Sequence, residues 1–373
     1  MKILITGAHF TPAVAVCEEL KKQKRVELIY VGRNSTLEGD NTQSQESKIL
    51  PALGVKFISI ISGRLQREFS IYTILSLFKI PIGFIQAFYI LYKEKPVVIL
   101  SFGGYVAVPL VIVGWLFSIP IIIHEQTLIS GLANKISRLF ADIVALSFDG
   151  KNKSDGKIIL TGNPIRKEIL DNNFKYVQQI VSSQYPEVFK FAKKNQLPTI
   201  LVTGGNQGAH ILNVAVEECL DDLLKISCVI HTTGDNNFHD FERLERKQNS
   251  HYLVRKWIGQ GWGVVLSKVD LIISRAGINT LLELAYLGKP ALVIPLPYLF
   301  QDEQNKNADF FASLGLVKVL PQNKLTAKSL LTNVRIMLND LNHFKKNAEG
   351  AKKVIMPNAA KRLALETVLL AKK

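Results

Sequence analysis

Short, nearly continuous apolar runs constrain this chain more than any other feature: they lie at residues 2–6, 27–31, 97–101, 119–124, 199–203, 228–232, 271–274 and 291–295. Most end in a glycine-bearing or polar loop that leads into an amphipathic stretch. Runs this continuous belong to strands covered on both faces, and their alternation with helical patterns is that of parallel βαβ units. They fall into two sets, separated by a polar, Tyr- and Lys-containing region at about 152–198 that has no strong strand. A chain of 373 residues has room for two α/β domains, each burying its own core. We place the boundary at 162–166.

Hydrophobic residues make up 47% and charged residues 21%, the balance of a folded globular protein. The formal net charge of +15 predicts attraction to polyanions: nucleic acid, anionic lipid headgroups or phosphorylated small molecules. There is no zinc-finger spacing, aromatic RNP-like strand or long Arg-rich run, so nucleic acid is not the expected partner. Cys17, Cys219 and Cys228 sit in apolar contexts without C-x-x-C spacing, which argues against a disulfide framework or zinc site and for a reducing compartment. The N-terminal apolar run is short for a signal peptide and reads as a first buried strand, so no export is expected.

Residues 69–92 are nearly apolar and long enough to span a bilayer. Lys79 and Pro81 interrupt them midway, and Ser70, Thr73, Ser76 and Gln86 are scattered through them, so two short helices joined at Ile80-Pro81 fit better. Interfacial helices, core helices and a spanning segment are the three readings. Residues 106–123, with Pro109, Gly114 and Pro120, read as a core helix followed by a buried strand.

The strongest local signal is the run 199–203 followed by Gly204-Gly205-Asn206-Gln207-Gly208-Ala209-His210 and an amphipathic segment. Strand, glycine turn and helix start together present free backbone N–H groups at the positive end of a helix dipole, which suits a diphosphate. The pattern is neither G-x-G-x-x-G in register nor a P-loop, and a ligand-free βα turn also explains it. A second turn, Ser274-Arg275-Ala276-Gly277-Ile278-Asn279-Thr280, runs into a helix on which Glu283 shares a face with Asn279 and Thr280. A carboxylate there can accept both hydroxyls of a ribose; a helix-surface charge is the plainer alternative. Pro295, Pro297 and the polar run Gln301-Asp302-Glu303-Gln304-Asn305-Lys306-Asn307 read as a strand-end loop whose amides suit sugar hydroxyls. In the first half, Gly7-Ala8-His9, Ser101-Phe102-Gly103-Gly104-Tyr105 and His124-Glu125-Gln126-Thr127 each follow a strand. A lone His is more often a structural hydrogen-bonder than a catalyst, but loops at His9, Gly103 and His124 converge on one rim.

Motifs recur in order through the chain: His9-x-x-Pro12-x-x-Ala15-Val16, Gly103-Gly104-Tyr105-Val106, His124-Glu125-Gln126, Gly131-x-x-Asn134-Lys135, Gly162-Asn163-Pro164-Ile165-Arg166, Gly204-Gly205-Asn206-Gln207-Gly208-Ala209 and Ser274-Arg275-Ala276-Gly277-x-x-Thr280-x-x-Glu283. In this order they resemble the MurG family, the glycosyltransferase family 28 enzymes that add N-acetylglucosamine to lipid I to make lipid II of peptidoglycan. The resemblance covers nearly the whole chain. It implies an α/β, GT-B fold of two Rossmann-like parallel-sheet domains facing a cleft. The implied parts are an acceptor- and membrane-associated domain over 1–163, a UDP-N-acetylglucosamine-binding domain over 164–352, and a final helix, 353–373, returning to the first domain. It also implies a peripheral enzyme at the cytoplasmic face of the cell membrane, with an undecaprenyl-linked acceptor, an anionic membrane surface and cell-wall synthesis proteins as partners.

Carried over by residue, the resemblance puts Glu283 on the ribose and brings Gly204, Gly205, Asn206, Gln207, Gly208 and Thr280 to the diphosphate, with Arg275, Ala276 and Gly277 in the second turn. Arg166 falls on the nucleotide side of the cleft. Trp257-Ile258 matches the pair packed on uracil, and Glu303 and Gln304 match the residues that hold the sugar. Gly7, Gly103, Gly104, Tyr105, Thr127 and Asn134 fall on the acceptor side. Four departures stand out: Asn206 replaces Ser, Glu303 replaces Gln, Thr127 replaces Asn, and Thr6-Gly7-Ala8-His9 shortens the family's Gly-Gly-Thr-Gly-Gly-His.

Inverting transfer needs a base for the acceptor hydroxyl and stabilisation of the departing UDP. His9 is the expected base, with His124 and Glu125 orienting or polarising it, and the helix N-terminus after Gly205 together with Arg166 is expected at the diphosphate. No Asp-x-Asp pair stands in a convincing loop, so the reading calls for no metal and no cofactor besides the donor. A GT-B enzyme with another lipid or polysaccharide acceptor, a UDP-sugar 2-epimerase and an inactive UDP-sugar-binding relative are the competing classes.

Overall fold

The computed structural model describes residues 1–34, 44–63, 71–149, 156–170, 186–205, 208–259, 261–298 and 300–372. The chain divides into two compact units, Met1–Arg166 with Met356–Lys373, and Lys167–Ile355. From the sequence the divisions fell after 163 and after 352.

The first unit holds a parallel sheet in the order β3-β2-β1-β4-β5-β6-β7. Its strands are β1 (Lys2–Thr6), β2 (Glu27–Gly32), β3 (Lys56–Ser59), β4 (Val98–Ser101), β5 (Ile121–Glu125), β6 (Ile143–Leu146) and β7 (Ile158–Leu160). Side chains alternate across the sheet, and both faces are buried. Ile3, Ile5, Tyr30 and Leu100 join one core with helices Phe10–Lys21 and Ala359–Leu370, whereas Leu4, Ile29, Val31 and Ile99 join another with helices Ile71–Glu94 and Ala107–Leu116. This two-sided burial is why the strands are continuously apolar. The last helix contributes Leu363, Ala364 and Val368 to the core of the first unit.

The second unit has a parallel sheet in the order β10-β9-β8-β11-β12-β13. Its strands are β8 (Thr199–Thr203), β9 (Cys228–Thr232), β10 (Tyr252–Arg255), β11 (Leu271–Ser274), β12 (Ala291–Val293) and β13 (Val317–Val319). Ile200, Val202, Ile273 and Leu292 pack with Leu212 and Val216 of helix His210–Glu218 and with Val334 of helix Ala327–Asn339.

Every apolar run singled out in the sequence contains a strand; β3, β6, β7, β10 and β13 were not foreseen. Four of these are sheet edges, β3, β7, β10 and β13, each only three or four residues long and none buried along its whole length, which blurs their pattern. Two expectations are corrected. The apolar segment forms a single helix, Ile71–Glu94, with Pro81 inside it, rather than two helices broken at Pro81. Burial of Ala87, Ile90 and Leu91 against Leu110 and Val113 of helix Ala107–Leu116 outweighs the one hydrogen bond that Pro81 removes. The polar run after Pro297 is likewise not a loop, since Glu303–Ser313 is helical. Phe69 and Ser70 lie outside the described residues. Among the described residues, no helix is long and apolar enough to cross a membrane.

Candidate active site

In open parallel sheets ligands settle at the carboxyl ends of strands where the strand order reverses. The reversal lies between β1 and β4 in the first unit and between β8 and β11 in the second. The loops leaving these four strands carry Gly7–His9, Gly103–Gly104, Gly204–Gly208 and Arg275–Gly277.

In the first unit, the loops after β1 and β4 are locked together. The Ala8 N–H donates to the Gly103 carbonyl at 3.0 Å, and the Tyr30 hydroxyl donates to the Gly7 carbonyl at 2.8 Å. Gly103 has φ of 71°, and a Cβ there would lie 2.4 Å from Asn134 Oδ1; this position accepts only glycine. Asn134 sits on the helix Leu132–Ser137 and donates its amide to Glu125 Oε2 at 2.9 Å. Glu125 Oε1 accepts the Thr127 N–H at 3.2 Å and lies 2.7 Å from Thr127 Oγ1. Tyr105 is partly buried, and its carbonyl accepts from Ser62.

His9 caps helix Phe10–Lys21 without a side-chain cap bond. Burial, and then the positive charge of Arg33, push its imidazole down to about 4. His124 is fully buried, with Nε2 3.0 Å from the Gly162 carbonyl, so Nε2 carries the proton. Burial pushes His124 down to about 4 as well; the Gly162 carbonyl works against this and His9 adds to it. Both imidazoles are therefore neutral near pH 7. Arg166 belongs to the first unit, its guanidinium 3.5 Å from Thr11 Oγ1 on the helix that His9 opens. The sequence had placed it with the nucleotide-side domain.

In the second unit, helix His210–Glu218 starts at Ala209, and among the described residues no side chain caps it, which leaves its first N–H groups as donors at the positive end of the helix dipole. The turn before it is tight: Gly208 has φ of 74°, and a Cβ there would lie 2.0 Å from the Thr233 carbonyl oxygen. Above Gly205, by contrast, a Cβ would meet nothing within 4 Å. Asn206 and Gln207 lie outside the described residues. Helix Ile278–Leu287 likewise starts uncapped at Gly277, where a Cβ would also meet nothing. Asn279 and Thr280 lie in its first turn. Glu283, one turn further, is 2% exposed, which rules out a surface charge. Its Oε2 accepts the indole N–H of Trp262 at 2.8 Å.

Arg275 is turned inward, donating to the Ile294 carbonyl at 3.1 Å, and Ala276 offers its carbonyl to the amide of the fully buried Asn307. Trp257 is exposed while Ile258 beside it is buried. Gln304 Oε1 accepts the Leu296 N–H at 2.8 Å, and Glu303 opens helix Glu303–Ser313. Sequence reading had no reason to single out Trp262, and it took Asn307 as one of the loop amides suited to a sugar, whereas Asn307 is buried on the Ala276 carbonyl: each acts through a partner on another element, and no local spacing encodes that.

Comparison with known proteins agrees with these two frames. The family model described as the glycosyltransferase family 28 N-terminal domain matches residues 6–146, and that of the C-terminal domain matches residues 199–363. A UDP-N-acetylglucosamine--N-acetylmuramyl-(pentapeptide) pyrophosphoryl-undecaprenol N-acetylglucosamine transferase of Clostridium kluyveri is 33% identical over 90% of this chain and 90% of its own. One of Bacillus cereus, the second of that name, is 34% identical over 93% of this chain and 94% of its own. The crystal structure of Acinetobacter baumannii MurG has the same fold, with a TM-score of 0.69 at 23% identity over 99% of each chain. The architecture is that of GT-B glycosyltransferases, two Rossmann-like parallel-sheet domains. With β2 to β6 of the first sheet and the whole of the second matched by the two domains of the same family, and with relatives aligned over nine-tenths of its length, the chain belongs to glycosyltransferase family 28.

Proposed function

We propose that the chain transfers N-acetylglucosamine, with inversion, from UDP-N-acetylglucosamine to the muramyl 4-hydroxyl of undecaprenyl-diphospho-muramoyl peptide, lipid I, giving lipid II. The observation that carries this reading is the buried carboxylate of Glu283 one turn into an uncapped helix at the switch point of its sheet, a diol acceptor beside an anion cradle. The printed names of relatives more than 30% identical support the same donor and acceptor.

In this reading the diphosphate rests on the N–H groups that open helices His210–Glu218 and Ile278–Leu287, and the open space above Gly205 and Gly277 admits its oxygens. Glu283 accepts the ribose hydroxyls, Trp257 and Ile258 flank the uracil, and Glu303 and Gln304 meet the sugar. Asn206, Gln207, Thr280, Arg275 and Ala276 complete the donor loops. The acceptor hydroxyl gives its proton to neutral His9 as its oxygen bonds to the anomeric carbon. The bond from that carbon to the diphosphate breaks, and UDP leaves with the electron pair, its charge met by the helix N-termini. Glu125, held by Asn134 and Thr127, and His124 keep the acceptor loops in place around Gly7, Gly103, Gly104 and Tyr105. Arg166, beside Thr11, adds positive charge near the His9 helix. The base and the anion cradle supply what the displacement needs without a metal.

A lipid-linked acceptor needs an enzyme at the membrane surface. Ile85, Phe88, Tyr89 and Tyr92 of helix Ile71–Glu94 are exposed, as are Trp115 and Leu116 of helix Ala107–Leu116, which packs against it. Lys93 lies over the Tyr89 ring, 5.7 Å from its centroid. This apolar, lysine-bearing face on a chain of net charge +15 suits an anionic membrane surface.

Labelled UDP-N-acetylglucosamine incubated with and without lipid I tests the reading. Label must enter a lipid product only when lipid I is present. Free sugar released without acceptor would instead identify a 2-epimerase, and nucleotide binding with no turnover an inactive relative.

A further inference from the structure

The carboxylate of Glu283 accepts a hydrogen bond from a side chain whose own placement is over-determined. Helix Trp262–Lys268 begins at Gly261, where φ is 90°, a conformation that favours glycine. The Gly261 N–H donates to Glu168 Oε2 at 3.2 Å, and a Cβ on Gly263 would lie 2.7 Å from the Glu168 carbonyl oxygen. This start fixes the direction of Trp262, which is 7% exposed and donates its indole N–H to Glu283 Oε2 at 2.8 Å. A charge-assisted hydrogen bond shut away from water is among the stronger ones available to a side chain. Indole has only this one donor and nothing to accept with, so its sole polar function is committed to the carboxylate.

We propose that Trp262 is a positioning residue: by holding Oε2, it fixes the Glu283 carboxylate in the orientation that receives a vicinal diol, and thereby sets the preference for ribonucleotides over 2′-deoxyribonucleotides. The inference rests on the reading of Glu283 as the ribose acceptor. A carboxylate free to rotate must be ordered when the diol binds, whereas one already held by Trp262 is ordered beforehand. Removing the indole donor therefore weakens binding of the nucleotide that uses both hydroxyls and spares the one that lacks the 2′-hydroxyl. A role in packing alone would weaken both equally.

The test is calorimetric titration of the full-length chain and its Trp262→Phe variant with UDP and with 2′-deoxy-UDP. The wild type binds UDP more tightly than 2′-deoxy-UDP by about tenfold or more, and in Trp262→Phe that ratio falls toward one, chiefly through weaker UDP binding. An unchanged ratio in a folded Trp262→Phe chain overturns the proposal while leaving Glu283 as the ribose acceptor. A wild type that binds both nucleotides equally, or neither, overturns the ribose reading and this inference with it. Should Trp262→Phe fail to fold, emission from a Trp115→Phe/Trp257→Phe chain, in which Trp262 is the one tryptophan of the original three, gives a second readout. UDP must shift that emission more than 2′-deoxy-UDP at saturation; equal shifts contradict the proposal.

Discussion

Asn134 and Glu125 meet at 2.9 Å, amide to carboxylate, and the same Asn134 side chain fills the space that a Cβ on Gly103 would need. One residue thus ties the loop after β5 to the loop after β4. Because Gly103 in turn accepts the Ala8 N–H, the tie reaches the loop that carries His9. The acceptor-side loops therefore respond as a set to changes at Asn134.

Asn134→Ala is expected to lower kcat by about tenfold, the equivalent of one hydrogen bond to a charged group, with UDP affinity unchanged because the second unit is untouched. Steady-state kinetics with lipid I, paired with UDP titration, measures both. Loss of UDP binding along with kcat would show that Asn134 is not confined to the acceptor side.

His9→Ala is expected to lower kcat by roughly two orders of magnitude or more, again with UDP binding retained. The pH profile adds a sharper check. The base works only while neutral, and burial with Arg33 pushes His9 down to about 4, so its acid limb falls as pH drops through about 4. Activity at pH 6 should stay near its value at pH 7; a limb centred near the ordinary imidazole value would contradict this assignment.

Stability should also depend on acidity. His124 is pushed down to about 4 and His231 to about 3, chiefly by burial, so below the ordinary value of 6.5 the unfolded chain binds protons that the folded chain does not. Stability is then lost as pH falls from about 6.5 toward 4, by roughly 1.4 kcal/mol per pH unit for each such histidine. Thermal melts from pH 7 to pH 5 should show a falling Tm, with a shallower fall in His231→Gln. A flat Tm over that range would rule the mechanism out.

Two glycines separate folding from function. Gly208→Ala puts a Cβ 2.0 Å from the Thr233 carbonyl at a φ of 74°, and should cost roughly 1–3 kcal/mol of stability. Gly277→Ala meets nothing and has an ordinary φ of −71°, so stability should hold while the KM for the donor rises, because the new methyl stands in the cradle. Chemical denaturation and donor kinetics on both variants check the contrast.

Phe88→Glu/Tyr92→Glu should weaken binding to anionic vesicles without lowering UDP affinity, and wild-type binding should decline as salt rises. Vesicle sedimentation measures it. Binding unchanged by the double substitution would move the membrane face elsewhere.

The frame was legible because two-sided burial leaves an unmistakable mark: Ile3, Leu4 and Ile5 alternate between two cores, so none can be polar. The glycine turns were legible because Gly103 and Gly208 answer backbone needs that no other residue meets. What escaped was contextual. Pro81 reads locally as a break, yet the packing of Ala87 and Leu91 carries the helix through it. Glu283 reads equally well as a surface charge until Trp262, 21 residues earlier, is seen to bury and bond it. The polar run from Gln301 looks like a loop because Asn305 and Asn307 are poor helix formers, but buried Asn307 is anchored to the Ala276 carbonyl.

The most direct measurement is a crystal structure of the chain grown with UDP-N-acetylglucosamine. Uridine diphosphate density is expected with its phosphates over Gly205 and Gly277 and its ribose hydroxyls on the Glu283 carboxylate. A nucleotide bound elsewhere, or ribose hydroxyls directed away from Glu283, would contradict it.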